Sequence, residues 1–491
     1  MKSATRGAVL GLAVAVSACA PFEARRGIDE TRALTAARGV DLDMAAAADC
    51  TTPANALAQT SMALLDSDRA LAVALACNAT LAAEQARLGI ANAEAFEARR
   101  LANPELSLGA ARVDGGGTRI DFGIAQNFTQ LILRGARTRL AEGEFLRAQQ
   151  LLAGRVIELA AEVETARVQL VTARQRVQAR ALIAEASDAA AELAERYRAA
   201  GNLPAREVAL ARARAAEASA ARRRADEEVA AARARLQRLL GVTHLDADLV
   251  GDASLVPVAI GETPDALRMR ALQQRLDLVA ARGLVDLLAD SARTTQRLGW
   301  LGAFEVEVEG EREAGTTRLV GPTLTIQLPL FQQGQGARAR ADALVAWSRA
   351  ERRRLEIAVA SEVDEAIARL DAAASRVADY RERIRPARAA VVARMQEEVN
   401  WMLRGVFDLI DARIDELEAA ADTFEALGDY ALTRAALERA TGVRLPRETQ
   451  RVIEASTLLG DGADLVAPPV VNPSSTPGGD AQPHHEHGEQ P

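Results

Sequence analysis

Two stretches of this chain carry an apolar seam too long for any compact domain. In the first, Phe145, Ala148, Leu152, Val156, Leu159, Val163, Ala166, Leu170, Ala173 and Val177 recur at steps of three and four. That is the spacing of a helix lying along another helix. Val359, Val363, Ile367, Leu370, Ala374 and Val377 do the same in the second. The runs begin at Gly135 and Gly334 and are interrupted at Gly201 and Gly405. Each spans roughly 65 residues before its glycine, on the order of 100 Å of helix at about 1.5 Å per residue. Such a helix must bridge a distance. The Ala- and Arg-rich composition, with 3% aromatics, suits long helices.

The landmarks recur. Leu240-Gly241 closes the first half and Thr441-Gly442 the second, as Gly135 pairs with Gly334 and Gly201 with Gly405. An internal two-fold repeat follows.

Ahead of each run the period changes from helical to two. Leu106 and Leu108 alternate with small or polar residues. After the turn Asp114-Gly115-Gly116-Gly117, Ile120, Phe122 and Ile124 alternate with Asp121, Gly123 and Ala125. In the second half Phe304, Val306 and Val308 alternate with Glu305, Glu307 and Glu309. Leu324, Ile326 and Leu328 then alternate with Thr323, Thr325 and Gln327. Each half offers one hairpin, within residues 103–128 and 301–328, of the strand length and alternation of an outer-membrane barrel. Past the N-terminal residues, no stretch has the roughly 18 apolar residues of a spanning helix. Membrane crossing then falls to strands. Four strands cannot close a barrel, and an open edge in lipid leaves backbone groups unsatisfied. Other copies of the chain must complete it, and three copies bring twelve strands. The chain is expected to be mainly α with a β-barrel part.

The N-terminus reads as a targeting device. Lys2 and Arg6 precede an apolar core from Ala8 to Val16, and Val16-Ser17-Ala18-Cys19 follows. This resembles a bacterial lipoprotein signal, with residues 1–18 removed and the Cys19 thiol acylated. Cys50 and Cys77 then remain. In an exported chain they are free to form a disulfide or to stay as two separate buried residues. The net charge of -8 argues against nucleic-acid binding.

Residues from about Leu71 to Leu445 resemble the TolC-like outer-membrane efflux proteins. Asn103-Pro104-Glu105-Leu106 is similar to the motif opening that family's first hairpin, and Leu328-Pro329-Leu330-Phe331 with Gly334 to the one leaving its second. Tyr197-Arg198-Ala199-Ala200-Gly201 resembles the turn at the tunnel tip. Arg275-Leu276-Asp277-Leu278 resembles a motif near the start of the second repeat, with Leu276 in place of the usual proline. Asn400-Trp401-Met402-Leu403-Arg404-Gly405-Val406-Phe407-Asp408-Leu409 is similar to the branch found with copper and heavy-metal resistance systems. The resemblance implies a homotrimeric twelve-strand barrel on a long antiparallel coiled-coil tunnel. It implies a lipid-anchored outer-membrane location reaching into the periplasm, with outer-membrane lipid, a periplasmic adaptor and an inner-membrane pump as partners. It implies no cofactor. On this layout residues 19–70 form an N-terminal periplasmic segment, 71–250 and 251–445 the two repeats, and 446–491 a C-terminal segment.

Asp408, Asp411 and Asp415 lie three and four residues apart, on one helix face. The resemblance makes Asp408 and Asp411 the match to the family's aspartate constriction, with Asp415 beside them and Glu207 comparable in the first repeat. In a trimer each forms a ring of carboxylates favouring cations. Gly201 and Gly405 mark the two tip turns. Glu305, Glu307 and Glu309 are expected on the barrel lumen, since the opposite register puts charge in lipid. His484, His485 and His487 sit in a Pro-, Gly- and Ser-rich tail, where neutral imidazoles suit copper or zinc ions. No phosphate loop is present and His244 stands alone near the end of the first half, so no enzyme is expected. The expected function is the channel of a tripartite efflux system, a passive exit duct for heavy-metal ions of the copper type delivered by the pump and adaptor. The alternatives are a lipid-anchored coiled-coil scaffold that buffers metal without a pore, and the same channel carrying drugs or organic molecules.

Overall fold

The structure, a computed structural model, describes residues 21–40, 66–113, 117–245, 253–254, 261–299, 302, 304–313, 319–445 and 453–454. Cys19, Cys50, His484, His485 and His487 lie outside the described residues.

The chain opens with α1 (Ile28–Ala36), α2 (Ser67–Cys77) and α3 (Ala79–Ala98). Strands β1 (Glu105–Val113) and β2 (Gly117–Asn127) lead into α4 (Phe128–Ala199) and α5 (Ala205–Leu240). After the short β3 (Ala253–Ser254) come α6 (Pro264–Gln274) and α7 (Leu276–Leu298). Strands β4 (Phe304–Glu313) and β5 (Leu319–Ile326) lead into α8 (Gln335–Ala378), a π-helical turn (Asp379–Ile384), α9 (Arg385–Asn400) and α10 (Val406–Thr441). The two-residue β6 (Ile453–Glu454) pairs with β3. No described helix is long and apolar enough to cross a membrane.

The strands form one antiparallel sheet in the order β1-β2-β4-β5. Its register sorts the side chains as the period-two reading expected. One face carries Leu106, Leu108, Ile120, Phe122, Ile124, Phe304, Val306, Val308, Val320, Leu324 and Ile326, with Ile124 opposite Val308 and Val306 opposite Leu324. Much of this face is bare: Leu108 is 74% exposed and Ile326 54%. The ring of Phe122 lies over Gly310, where a Cβ would collide with it. The other face carries Glu105, Ser107, Asp121, Glu305, Glu307, Glu309, Glu311, Thr323 and Thr325.

The helix α4 starts at Phe128, not at Gly135. Asn127 explains the difference, because its side chain accepts from the Gln130 amide and caps the helix there. Gly135 is an interior residue of α4. In the second half the helix starts where expected, with Gly334 in the left-handed region at φ 79. Gly334 sits against the Gly299 carbonyl so closely that a Cβ would not fit.

Two cores hold the helices. Phe145, Leu152, Val156, Leu159, Val163 and Leu170 pack with Leu71, Leu81, Leu236 and Leu240. Val359, Val363, Leu370 and Val377 pack with Leu427, Tyr430 and Leu437. These are the seam residues of the two heptad runs. Arg26 and Arg99 both pair with Glu142 of α4, the former at 2.6 Å, and so clamp the N-terminal segment to that helix.

Candidate functional site: the acidic helix and the two tips

Helix α10 carries two columns of acids at heptad spacing. Asp411, Glu418 and Glu425 face the first hairpin. Asp411 pairs with Arg214 of α5 at 3.1 Å, Glu418 with Arg180 of α4 at 3.7 Å, and Glu425 with Arg176 of α4 at 4.0 Å. Asp415, Asp422 and Asp429 face the helix's own hairpin. Asp415 pairs with Arg388 of α9 at 2.6 Å and Asp429 with Arg376 of α8 at 3.2 Å. Between them the Tyr380 hydroxyl donates to Asp422 at 3.2 Å. Burial, and then the charges of Asp422 and Glu425, push the Tyr380 phenol above its ordinary range.

The spacing puts Asp408, Asp411 and Asp415 on one helix face, each expected to form a ring of carboxylates in a trimer. In the structure each has a task. Asp408 accepts from the Gly405 amide at 3.3 Å and caps its own helix. Asp411 and Asp415 reach in different directions, to arginines on α5 and α9. Glu207, at the matching third position of α5, pairs with its neighbour Arg206 at 2.6 Å. The partner arginines went unread because spacing within one helix says nothing about which helix lies alongside.

The tips match residue for residue. In the first, the Asn202 amide donates to the Tyr197 carbonyl at 2.8 Å around Gly201, whose φ is 80. In the second, the Leu403 amide donates to the Glu398 carbonyl at 2.8 Å around Met402, whose φ is 56. Both are helix ends closed by a left-handed residue. The second turn is therefore made by Met402, which corrects the expectation for Gly405. Gly405 is the extended residue before α10, at φ -81. Met402 is the only described non-glycine residue with positive φ. With Trp401 and Leu403 it forms an exposed apolar tip. The rings of Tyr197 and Phe407 meet edge to face at 5.7 Å and tie the first tip to α10.

On the sheet, Glu305, Glu307 and Glu309 share the face opposite Phe304, Val306 and Val308. Gly123 lies between Ser107 and Glu309 across the sheet, and a Cβ on it would meet the Ser107 and Glu307 side chains. Arg119 pairs with Asp121 at 2.9 Å and with Glu311 at 3.1 Å.

Cys77 is disulfide-bonded. Its partner, Cys19 or Cys50, lies outside the described residues. Among the described residues no group of three or more His, Cys, Asp or Glu is placed to hold a metal ion.

No protein-family model matches the chain, and no curated protein matches it in sequence. Solved structures do match. A membrane protein from Pseudomonas aeruginosa is similar with a TM-score of 0.63 at 17% identity, over 77% of this chain and 94% of that one. CusC, described for its transmembrane channel formation, gives 0.63 at 13% identity, over 78% and 93%. The outer membrane protein VceC from Vibrio cholerae gives 0.63 at 16% identity, over 77% and 96%. In its order of helices and strands, and in its sheet of four strands set on long helical hairpins, the chain has the TolC-like fold of the outer-membrane efflux channels.

Proposed function

We propose that three copies of this chain close their sheets into a twelve-strand barrel and form the outer-membrane channel of a tripartite efflux system. The channel is a passive exit duct. An inner-membrane pump supplies the energy, and a periplasmic adaptor joins the pump to the helical end. Acylated Cys19 anchors each copy to the outer membrane, and the helices extend into the periplasm.

One observation carries this reading. The four-strand sheet presents an exposed, mainly apolar face, with Arg112 and Arg312 at its turn end, and among the described residues its edge strands β1 and β5 have no outer neighbour. In water such a sheet invites aggregation, whereas in lipid the face is solvated and the edges are paired by further copies. The opposite face then lines the lumen with Glu305, Glu307 and Glu309. A narrow pore bearing such rings favours cations. With the likeness over Asn400 to Leu409, that supports a metal ion of the copper type as the substrate. The helical end closes at the second tip, around Asp408 and Asp411. Because Asp411 is paired with Arg214 across the two hairpins and Asp415 with Arg388 inside its own, only the charge of Asp411 depends on how the hairpins sit. Separation of the hairpins exposes it.

The test is single-channel conductance of the detergent-extracted protein in a planar bilayer. Discrete, cation-preferring openings are expected, and silence at high protein concentration would sink the proposal. Metal sensitivity of a deletion strain then separates metal export from export of organic molecules.

A further inference from the structure

Four segments carry the chain between the sheet and the helices: 98–104, 127–141, 291–299 and 327–341. Together they hold nine arginines and not one Asp or Glu, in a chain whose net charge is -8. Contacts set them at one level. The Arg134 guanidinium donates to the Arg99 carbonyl at 2.8 Å, and the Thr138 hydroxyl to the Ala98 carbonyl at 3.0 Å. The Phe304 amide donates to the Thr129 hydroxyl at 2.6 Å, and Gly334 lies against the Gly299 carbonyl. Acids just beyond the segments reach back to two of the arginines, Glu142 to Arg99 and Asp290 to Arg293. Others have no acid. Arg134 and Arg338 donate to backbone carbonyls, which leaves their charge uncompensated. Arg139 is exposed and has no hydrogen bond or ion pair among the described residues.

The outer side of α4 is marked by Phe128, whose ring meets that of Phe304, on the sheet's apolar face, at 6.0 Å. Leu131, Ile132, Gly135 and Arg139 follow Phe128 by three, four, seven and eleven residues, which is one face of the helix. Leu131 is 45% exposed and Ile132 50%. Along that face an apolar band gives way to a bare cation about 10 Å further on. This is the order met at the edge of a bilayer, hydrocarbon first and phosphate next. Arg137, nine residues from Phe128, lies on the opposite face.

A second observation puts the membrane surface at the same level. The ring of Phe22 meets that of Phe96 in α3 at 5.2 Å, and the exposed Arg100 lies over the Phe96 ring at 4.2 Å. Cys19 stands three residues before Phe22, and an extended chain covers no more than about 11 Å in that span. Acyl chains on Cys19 therefore enter the membrane close to Arg100.

We infer that this acid-free collar binds an anionic phospholipid of the leaflet nearer the helices, with Arg100 and Arg139 donating to its phosphate beside the acylated Cys19. Guanidinium groups suit the task, because their paired N–H groups match two phosphate oxygens. Three copies repeat the site around the barrel. The inference rests on the proposed outer-membrane location and on acylation of Cys19, and adds to them a class of lipid.

Native mass spectrometry of the full-length, detergent-extracted protein tests it, with phosphatidylglycerol and phosphatidylcholine of the same acyl chains as probes. The parent is expected to bind phosphatidylglycerol at least about tenfold more tightly than phosphatidylcholine. Arg139→Gln should lower that preference about fivefold, and because Arg139 has no partner to lose, this variant should melt as the parent does. Adding Arg100→Gln should abolish the preference. Arg100→Lys with Arg139→Lys should keep most of it, since the charge remains. Arg137→Gln, on the opposite face, should leave it unchanged. Equal binding of the two lipids by the parent would overturn the collar, as would equal losses in Arg137→Gln and Arg139→Gln. Displacement of phosphatidylglycerol by millimolar inorganic phosphate would show a site for free anions and overturn the lipid assignment. Conductance in a planar bilayer keeps the two readings apart. A protein that conducts but shows no lipid preference loses only the collar, and one that never inserts loses the outer-membrane location as well.

Discussion

The guanidinium of Arg214 donates through Nη1 to both carboxylate oxygens of Asp411, at 3.1 Å each, and joins α5 to α10 near the tips. Both side chains are more than half exposed, so the pair contributes only about 0.2–1 kcal/mol to stability. Its weight lies in position. Arg214→Ala or Asp411→Ala is expected to shift Tm by no more than about 2 °C. Each should raise the frequency of channel openings severalfold, and Arg214→Asp combined with Asp411→Arg should restore it. Identical opening in single variants and parent would remove the pair from gating.

The crossing of α4 and α10 is set by Gly428. A Cβ there would collide with the Thr172 side chain, whose β-branched atoms cannot swing clear. Gly428→Ala should cost about 1–3 kcal/mol by overpacking. Thr172→Ala in the same chain should recover much of the loss. Thermal unfolding checks both, and a silent Gly428→Ala would show that the helices can part freely.

Clamping of the N-terminal segment should depend on pH. Burial raises the Glu142 carboxyl, but the hydrogen bonds and charges of Arg26 and Arg99 outweigh it and hold the group below its ordinary range. A folded-state pKa below the unfolded one gives stability that is present above the unfolded value and lost as pH falls through the folded value. Glu142→Gln should therefore lower Tm at neutral pH, by about 2 °C. The gap to the parent should close on acidification below the carboxylate range. A gap independent of pH would show that the clamp is not electrostatic.

The two tips should respond oppositely to the same chemistry. Gly201 at φ 80 has open space around it, so Gly201→Ala costs only the backbone term, about 1 kcal/mol. Met402→Gly relieves that strain at φ 56 and should stabilise by up to about 1 kcal/mol, less the entropy glycine adds to the unfolded chain. Chemical denaturation of both variants measures the two signs.

On the sheet, changing Glu305, Glu307 and Glu309 together to Gln should leave folding intact and reduce cation preference severalfold, measured as the reversal potential in a salt gradient. An unchanged reversal potential would place these residues away from the conducting path.

Much of the architecture was legible because it rests on period. Leu106, Ile124, Val308 and Leu324 fell on one face because a strand alternates by geometry, and Val156, Leu159 and Val163 on one seam because a helix does not. What escaped depended on neighbours. The acids at 411, 418 and 425 could be read as a heptad column, but Arg214, Arg180 and Arg176 lie on other helices, and no spacing reveals them. Gly405 misled because glycine is the usual left-handed residue, yet the turn is fixed by the Leu403–Glu398 hydrogen bond. Counting back from Gly442 as Gly201 stands from Gly241 leads to Met402. Pro386 was the one local sign of the π-turn. The start of α4 was missed because Asn127 both ends β2 and caps the helix, so strand passes into helix with no break, while the run was counted from Gly135.

The matched backbone of the two tips has a consequence for symmetry. Any closed ring of three such chains presents six turns of nearly the same shape, alternating between the Gly201 form and the apolar Trp401-Met402-Leu403 form. To backbone geometry the end of the ring is close to sixfold, but to side-chain chemistry it is only threefold. A partner made of six equivalent parts would thus meet two kinds of seat, and would have to bind them unequally.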